Sequence, residues 1–325
     1  MPAQSVQIPL DVSELPDRWY NILPDLPEPL PPPADPESGP SRLAQLPNLL
    51  IRTCLEQEMS DQRWIAIPDG VRQLYLRAGR PRPLFRALAL EKELGTPARL
   101  YYKAEFYSPT GSHKVNTALA QAWYARELGF ERLATETGAG QWGTALAYAA
   151  ALTGLKCTVY WVRAVYRWKP ARLGFMQMLG ADVHASPSDR TEVGRRLHLL
   201  DPEHPGSLGI AISEGLEDAQ GDPKAVYSLG SVLNHVLLHQ TIIGLETQLQ
   251  FAKVGDYPDV MISCLGGGSN FGGFVLPFMG DMLTKGRKIR FIAAQSQAAP
   301  NLQGEYRYDH ADHAGMTPLL KMYTL

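Results

Sequence analysis

The chain is 325 residues long, enough for two domains or one large one with a substantial core. Hydrophobic residues make up 45% and charged residues 20%, as in ordinary soluble globular proteins, and a net charge of −2 excludes a global basic field for nucleic acid or an anionic membrane. Cys54, Cys157 and Cys264 are widely spaced, odd in number and without CxxC pairing. That pattern excludes a disulfide scaffold and a cysteine-based zinc site, and it suits a reducing cytoplasm. The first residues have neither a basic start nor an apolar stretch, so no signal peptide is expected. The most apolar segment, 144–155, is too short to span a bilayer.

About a dozen of the 26 prolines precede Asn48, most densely over 23–40. Such a run favours extended polyproline II and could be a linker. The interleaved Trp19, Tyr20, Ile22, Leu23, Leu26 and Leu30 favour an arm laid across the folded body. From residue 100 the pattern becomes strand, glycine turn, helix. A strand is expected over 100–106, then a helix carrying Val115, Ala118, Leu119 and Ala122. A strand over 132–137 leads into GAGQWG and a helix stopped by Gly154, followed by a continuous apolar strand over 156–162. Pro170 opens a helix through Met178, and 181–185 reads as a strand. A long helix over 228–255, a strand over 259–264, a further helix and a strand over 289–295 complete the series. Strands alternating with helices imply an α/β fold around mostly parallel sheet.

Three turns fall between strand and helix, the edge where open α/β sheets bind ligands. In the first, Ser108 to Lys114 followed by Asn116, the lysine lies at the positive end of a helix. That placement lowers the amine pKa and raises the neutral fraction, as a Schiff-base lysine needs. Taken alone, Lys114 also reads as an exposed lysine at a helix start, and His113 as a structural hydrogen-bonder. The second turn, Glu136, Thr137, Gly138, Ala139, Gly140, Gln141, Trp142, Gly143, matches the dinucleotide fingerprint. Glu136 would repel a pyrophosphate, however, and Arg163 stands where the acidic ribose ligand belongs. Arg163 could suit a 2′-phosphate, which leaves an NADP enzyme as an alternative. The loop amides could instead hold a carboxylate, with Glu136 available for proton transfer. The third turn, Gly266, Gly267, Gly268, Ser269 and Asn270, suits a single phosphate and lacks the lysine of a triphosphate loop. His310 and His313 imitate a metal site but have no further ligand, so no metal is expected.

A low-pKa lysine, a carboxylate loop beside an acid and a one-phosphate cup are together what a pyridoxal-phosphate enzyme needs. Through GRPRPLF (79–85), KAEFYSPTGSHKVN (103–116), ETGAGQWG and GGGSN, the chain resembles the tryptophan synthase beta chain family of fold type II enzymes. QRWIAIP (62–68), Trp142 in place of the usual histidine and GSVLNHVLLHQTIIGLE resemble the second, TrpB2-like subgroup, which often works without an alpha subunit. The resemblance runs from about Trp19 to the last residue. Arg82 departs from it, standing where the family commonly has a small hydroxyl residue, which reads as a minor change.

The resemblance implies two three-layer α/β/α domains. A proline-rich arm with leading helices over 1–78 would precede an N-terminal domain over 79–225 with a mobile substrate subdomain. The C-terminal phosphate-binding domain over 226–325 is expected to be incomplete, because TPLLKMYTL reads as the inside of a helix. The implied cofactor is pyridoxal 5′-phosphate, bound by Lys114 as the Schiff-base amine and by His113, Asn116 and Gly266 to Asn270. The amides of Thr137 to Trp142 would hold the substrate carboxylate. Glu136 would help the serine β-hydroxyl leave and then take a proton from indole. The expected activity is a lyase of aromatic amino-acid biosynthesis that condenses L-serine with indole to give L-tryptophan and water. A cytoplasmic homodimer, with an alpha subunit as a further partner, completes the expectation. An NADP-dependent oxidoreductase and a truncated, non-catalytic structural or regulatory relative are the alternatives.

Overall fold

A computed structural model describes residues 6–31, 44, 46–297 and 302. Along them run strands β1 (Gln7–Ile8), β2 (Arg18–Tyr20), β3 (Trp64–Ala66), β4 (Leu84–Arg86), β5 (Tyr101–Lys103), β6 (Arg132–Thr137), β7 (Lys156–Val162), β8 (Asp182–Ser186), β9 (Ala225–Tyr227), β10 (Val260–Cys264) and β11 (Arg290–Ala294). The chain divides into two compact units. Among the described residues the first takes 6–29, 61–116 and 237–297; the second takes 30–31, 44, 46–60, 117–236 and 302. A contiguous division at 78/79 and 225/226 does not describe these units. The reason is the core of the first, where Ile8 and Leu84 pack with Phe251, Met261, Val275 and Phe278.

In the first unit β1, β4 and β5 form an antiparallel sheet, with Leu84 opposite both Ile8 and Lys103. β2 pairs antiparallel with β3, and β10 pairs in parallel with β11. The Ser269–Lys285 helix is the crossover between β10 and β11, and it packs against the Ile242–Val254 helix. The expected arm is part of this body. Trp19 is fully buried with its ring 4.5 Å from that of His239, Ile22 is buried, and the Tyr20 backbone N–H donates to the Thr241 hydroxyl (3.1 Å). Residues 32–43 of the proline-rich run lie outside the described residues, as do the 308–313 histidine segment and TPLLKMYTL.

The second unit is built on a parallel sheet of order β8-β7-β6-β9. Five consecutive β6 residues, Leu133 to Thr137, are buried, so both faces of the strand are covered. The Gln141–Thr153 and Leu208–Gln220 helices pack on β6 and β7. Gly154 ends the former at φ +74°, a left-handed cap that a side chain would strain. The latter is N-capped by Ser207, whose hydroxyl accepts the Ile210 N–H at 3.2 Å.

Two expected elements differ. The strand over 100–106 ends at Lys103 and continues as a 3₁₀ turn, Glu105–Tyr107, which swings the Glu105 carboxylate onto Arg80 (2.7 Å). The helix over 228–255 is two helices, Asn234–Gln240 and Ile242–Val254, preceded by β9 and an irregular stretch with Val232 at φ +76°. The break falls at Thr241. Its hydroxyl donates to the Leu238 carbonyl (2.6 Å) while accepting the Tyr20 N–H, a side-chain bond that competes with the helical ladder.

Candidate active site

The lysine turn belongs to the first unit. Ser108 closes it twice, its hydroxyl accepting the Ser112 N–H and donating to the Ser112 carbonyl (both 2.8 Å), and Gly111 supplies φ +68°. His113 and Lys114 follow, both partly buried, and Val115 opens the next helix. The His113 ring meets the Ser269 hydroxyl at 3.0 Å. Loss of solvation, then the neighbouring Lys114 charge, pushes the imidazole down to about 3, so His113 is a neutral hydrogen-bonding ring.

Ser269 is the first residue of the 17-residue Ser269–Lys285 helix. Gly268 caps it at φ +88°, and among the described residues it has no side-chain capping bond and a Cβ at Gly266 or Gly268 would meet nothing within 4 Å. The first amides of a helix lack intrahelical partners and carry the positive end of its dipole. An end uncapped by the described side chains, open space among the described residues at Gly266 and Gly268, and a neutral histidine on its first serine fit the phosphate of pyridoxal 5′-phosphate. The Asn270 side chain points elsewhere, donating to Ser263 Oγ (3.0 Å) and Cys264 Sγ (2.9 Å), so its backbone is the part suited to phosphate.

Asn116 is fully buried, and its side chain is committed to the protein. Nδ2 donates to Gln240 (2.8 Å) and Glu105 (3.3 Å), while Oδ1 accepts from Arg80 (2.9 Å) and Arg82 (3.3 Å). Those bonds fill its hydrogen-bonding capacity, which makes the Asn116 side chain an anchor for the lysine turn. It joins a buried ionic cluster that motif reading overlooked. Arg80 pairs with Glu105 and Glu246 (2.7 and 2.8 Å), Lys103 with Glu246 (2.7 Å) and Arg82 with Glu105 (3.2 Å). Burial pushes the Glu105 carboxyl up, but Arg80, Arg82 and Lys103 outweigh it and hold it at about 2. Arg82 is therefore no minor departure, since its guanidinium is buried inside this cluster and also donates to the Ala78 carbonyl (3.0 Å). The two arginines stood visible in GRPRPLF, but nothing local marks them as buried.

Glu136 and the second glycine turn belong to the other unit. Glu136 lies buried near the end of β6, where the Tyr227 phenol donates to its Oε2. Residues 138–140 turn the chain into the Gln141–Thr153 helix, with Gly140 at φ +87° and no side-chain cap. A Cβ on Gly140 would fall 2.5 Å from Arg172 and 2.6 Å from Trp161. Trp161 Nε1 donates to the Gly138 carbonyl (2.9 Å), and Thr137 Oγ1 accepts the Gly143 N–H (3.2 Å). The carbonyl is thus drawn back, and the turn presents its amides at a helix start, as a carboxylate requires. The Trp142 side chain is buried, donating to Thr135 Oγ1 (2.7 Å). Its ring lies against Gly230, where a Cβ would approach it to 2.1 Å. Tyr227 was missed in the sequence because only strand pairing carries it to Glu136. Arg163 donates to the Pro187 carbonyl and meets His198, so its guanidinium is already engaged and nothing favours a 2′-phosphate there.

Residues 75–319 match the family model described as "Pyridoxal-phosphate dependent enzyme". The chain is 60% identical over 320 residues to the tryptophan synthase beta chain 2 of Methanothermobacter thermautotrophicus, spanning 98% of this chain and 74% of that protein. It is 58% identical over 315 residues to the tryptophan synthase beta chain of Thermococcus gammatolerans, spanning 96% and 71%. Among solved structures it is similar to a fungal L-serine ammonia-lyase from Rhizomucor miehei, with a TM-score of 0.50 and 18% identity over 66% of this chain and 59% of that one. That last likeness concerns the fold alone.

Proposed function

The chain belongs to the tryptophan synthase beta chain family of pyridoxal-phosphate dependent enzymes, and from that premise we propose that it condenses L-serine with indole to give L-tryptophan and water. When bound, pyridoxal 5′-phosphate supplies the electron sink for losing the serine α-proton and β-hydroxyl. Lys114 is the amine that binds the cofactor aldehyde. The amides of residues 266–270 and the neutral His113 hold its phosphate, while Asn116 anchors the turn that carries Lys114. The amides of Thr137 to Trp142 hold the serine carboxylate. Glu136 gives a proton to the departing hydroxyl, so that water leaves, and then takes one from indole as the carbon–carbon bond forms. Burial around Glu136 excludes bulk water from this proton transfer.

The observation that carries this reading is the 3.0 Å contact from His113 to Ser269, which brings the lysine turn to the phosphate cup within one compact unit. We also propose that the enzyme works in the cytoplasm as a homodimer, with a tryptophan synthase alpha subunit as a further partner. Unpaired cysteines suit that compartment, and the beta chain names of the relatives support the search for a partner. Among the described residues no helix is long and apolar enough to cross a membrane.

The test is borohydride reduction of the protein with added pyridoxal phosphate, then peptide mapping and assay with serine and indole. The label is expected on Lys114 and absent from Lys114→Ala, with tryptophan formed only by the unmodified protein. A label on another residue, or correct labelling without tryptophan, would overturn the assignment.

A further inference from the structure

We propose that Tyr227 is a positioning residue for the reaction, holding the Glu136 carboxyl group in its working orientation through a hydrogen bond from the phenol to Oε2. This rests on the proton-transfer role given to Glu136 above. The geometry follows from sheet register. β9 runs parallel to β6 with Tyr227 opposite Ala134, and residues two apart on a strand share a face. The Tyr227 ring therefore lies on the Glu136 face, within diagonal reach. Both side chains are buried.

The chain following Tyr227 is pinned. The Ser228 N–H donates to the Ala134 carbonyl (3.0 Å), and the Ser228 carbonyl accepts from Thr135 Oγ1 (2.5 Å). Ser228 Oγ donates to Gln121 (2.6 Å), whose amide donates in turn to the Leu229 carbonyl (2.9 Å). Thr135 also accepts the Trp142 indole N–H, so the residue before Glu136 is braced from the carboxylate-binding turn. This network holds the backbone that carries the phenol.

Tyr227 does not transfer protons. Burial, then the charge of Glu136, raises its pKa well above the ordinary phenol value, so it remains a donor throughout the working range. Its own proton stays in place while the Glu136 proton passes to the serine hydroxyl. The newly formed buried carboxylate then keeps a charge-assisted bond that substrate turnover does not consume.

The test is a double-mutant cycle with Tyr227→Phe and Glu136→Gln, read as kcat and serine KM. Tyr227→Phe should lower kcat by about ten- to a hundredfold, the usual range for a lost bond to a charged group, with serine KM changed less than about threefold. In the Glu136→Gln background the same substitution should change kcat less than about twofold. A full repeat of the loss there, or wild-type kcat in Tyr227→Phe alone, would overturn the proposal and leave the role of Glu136 standing. Wild-type activity in Glu136→Gln would overturn both.

A second readout uses cofactor-free protein. The infrared carboxyl band that disappears in Glu136→Gln should shift in Tyr227→Phe, and an unshifted band overturns the proposal. Should Tyr227→Phe fail to fold, the pair is read from the other side. Glu136→Gln retains an acceptor for the buried phenol and should melt higher than Glu136→Leu; equal melting temperatures would sink the idea.

Discussion

Glu105 shows how much a single largely buried carboxyl group can decide. It lies between Arg80 and Arg82, accepts from Asn116, and is held at about 2 against an ordinary 4.5. A carboxyl with a depressed folded-state pKa adds stability that is complete above its unfolded value and is lost as pH falls through the folded one. Its contribution is worth about 3 kcal/mol, present above pH 4.5 and gone below about 2. Glu105→Gln should therefore lower stability near neutral pH by roughly 3–5 kcal/mol, because it also leaves two buried guanidinium groups underpaired. The gap to the wild type should narrow below pH 4.5, as measured by urea denaturation across pH. A constant gap would show that the charge is not the cause. At this scale Lys114 and Glu136 stand out in the sequence as candidates because each sits in a short motif with a chemical reason. Tyr227, Glu105 and Glu246 were not, since their partners lie far away in sequence.

Turns, caps and helix ends carry the site at the scale of elements. Gly230 is needed because the Trp142 ring occupies the space a side chain would take. Gly230→Ala should displace the indole, break its bond to Thr135 and cost about 1–3 kcal/mol, a typical overpacking penalty. Loss of one protected indole N–H signal by NMR, together with a lower melting temperature, checks this. An unchanged signal would mean that the ring is not held there. Glycine turns between strand and helix were visible in the sequence, because an apolar run followed by GAGQWG or GGGSN has few structural readings. The break at Thr241 was hidden, since the apolar spacing continues across it and only the hydroxyl's bonds to Leu238 and Tyr20 reveal the interruption.

For the whole molecule, cofactor binding is linked to folding. A ligand bound only by the native state adds about 2.7 kcal/mol when present at a hundred times its Kd. Pyridoxal phosphate should therefore raise the melting temperature of the wild type, and Lys114→Ala should lose most of that rise. An equal rise in both would place the binding away from Lys114. The sequence by itself determined the α/β class, the three glycine turns, the family and the place of Lys114 at a helix start. Those depend on local periodicity and on backbone shapes that few residues can adopt. Only the tertiary structure decided which charges are buried together, that Asn116 anchors the lysine turn, that Arg82 is a buried cluster member, and which phenol meets Glu136. Each of those facts depends on which distant segments pack together, and burial and electrostatics act through space rather than along the chain.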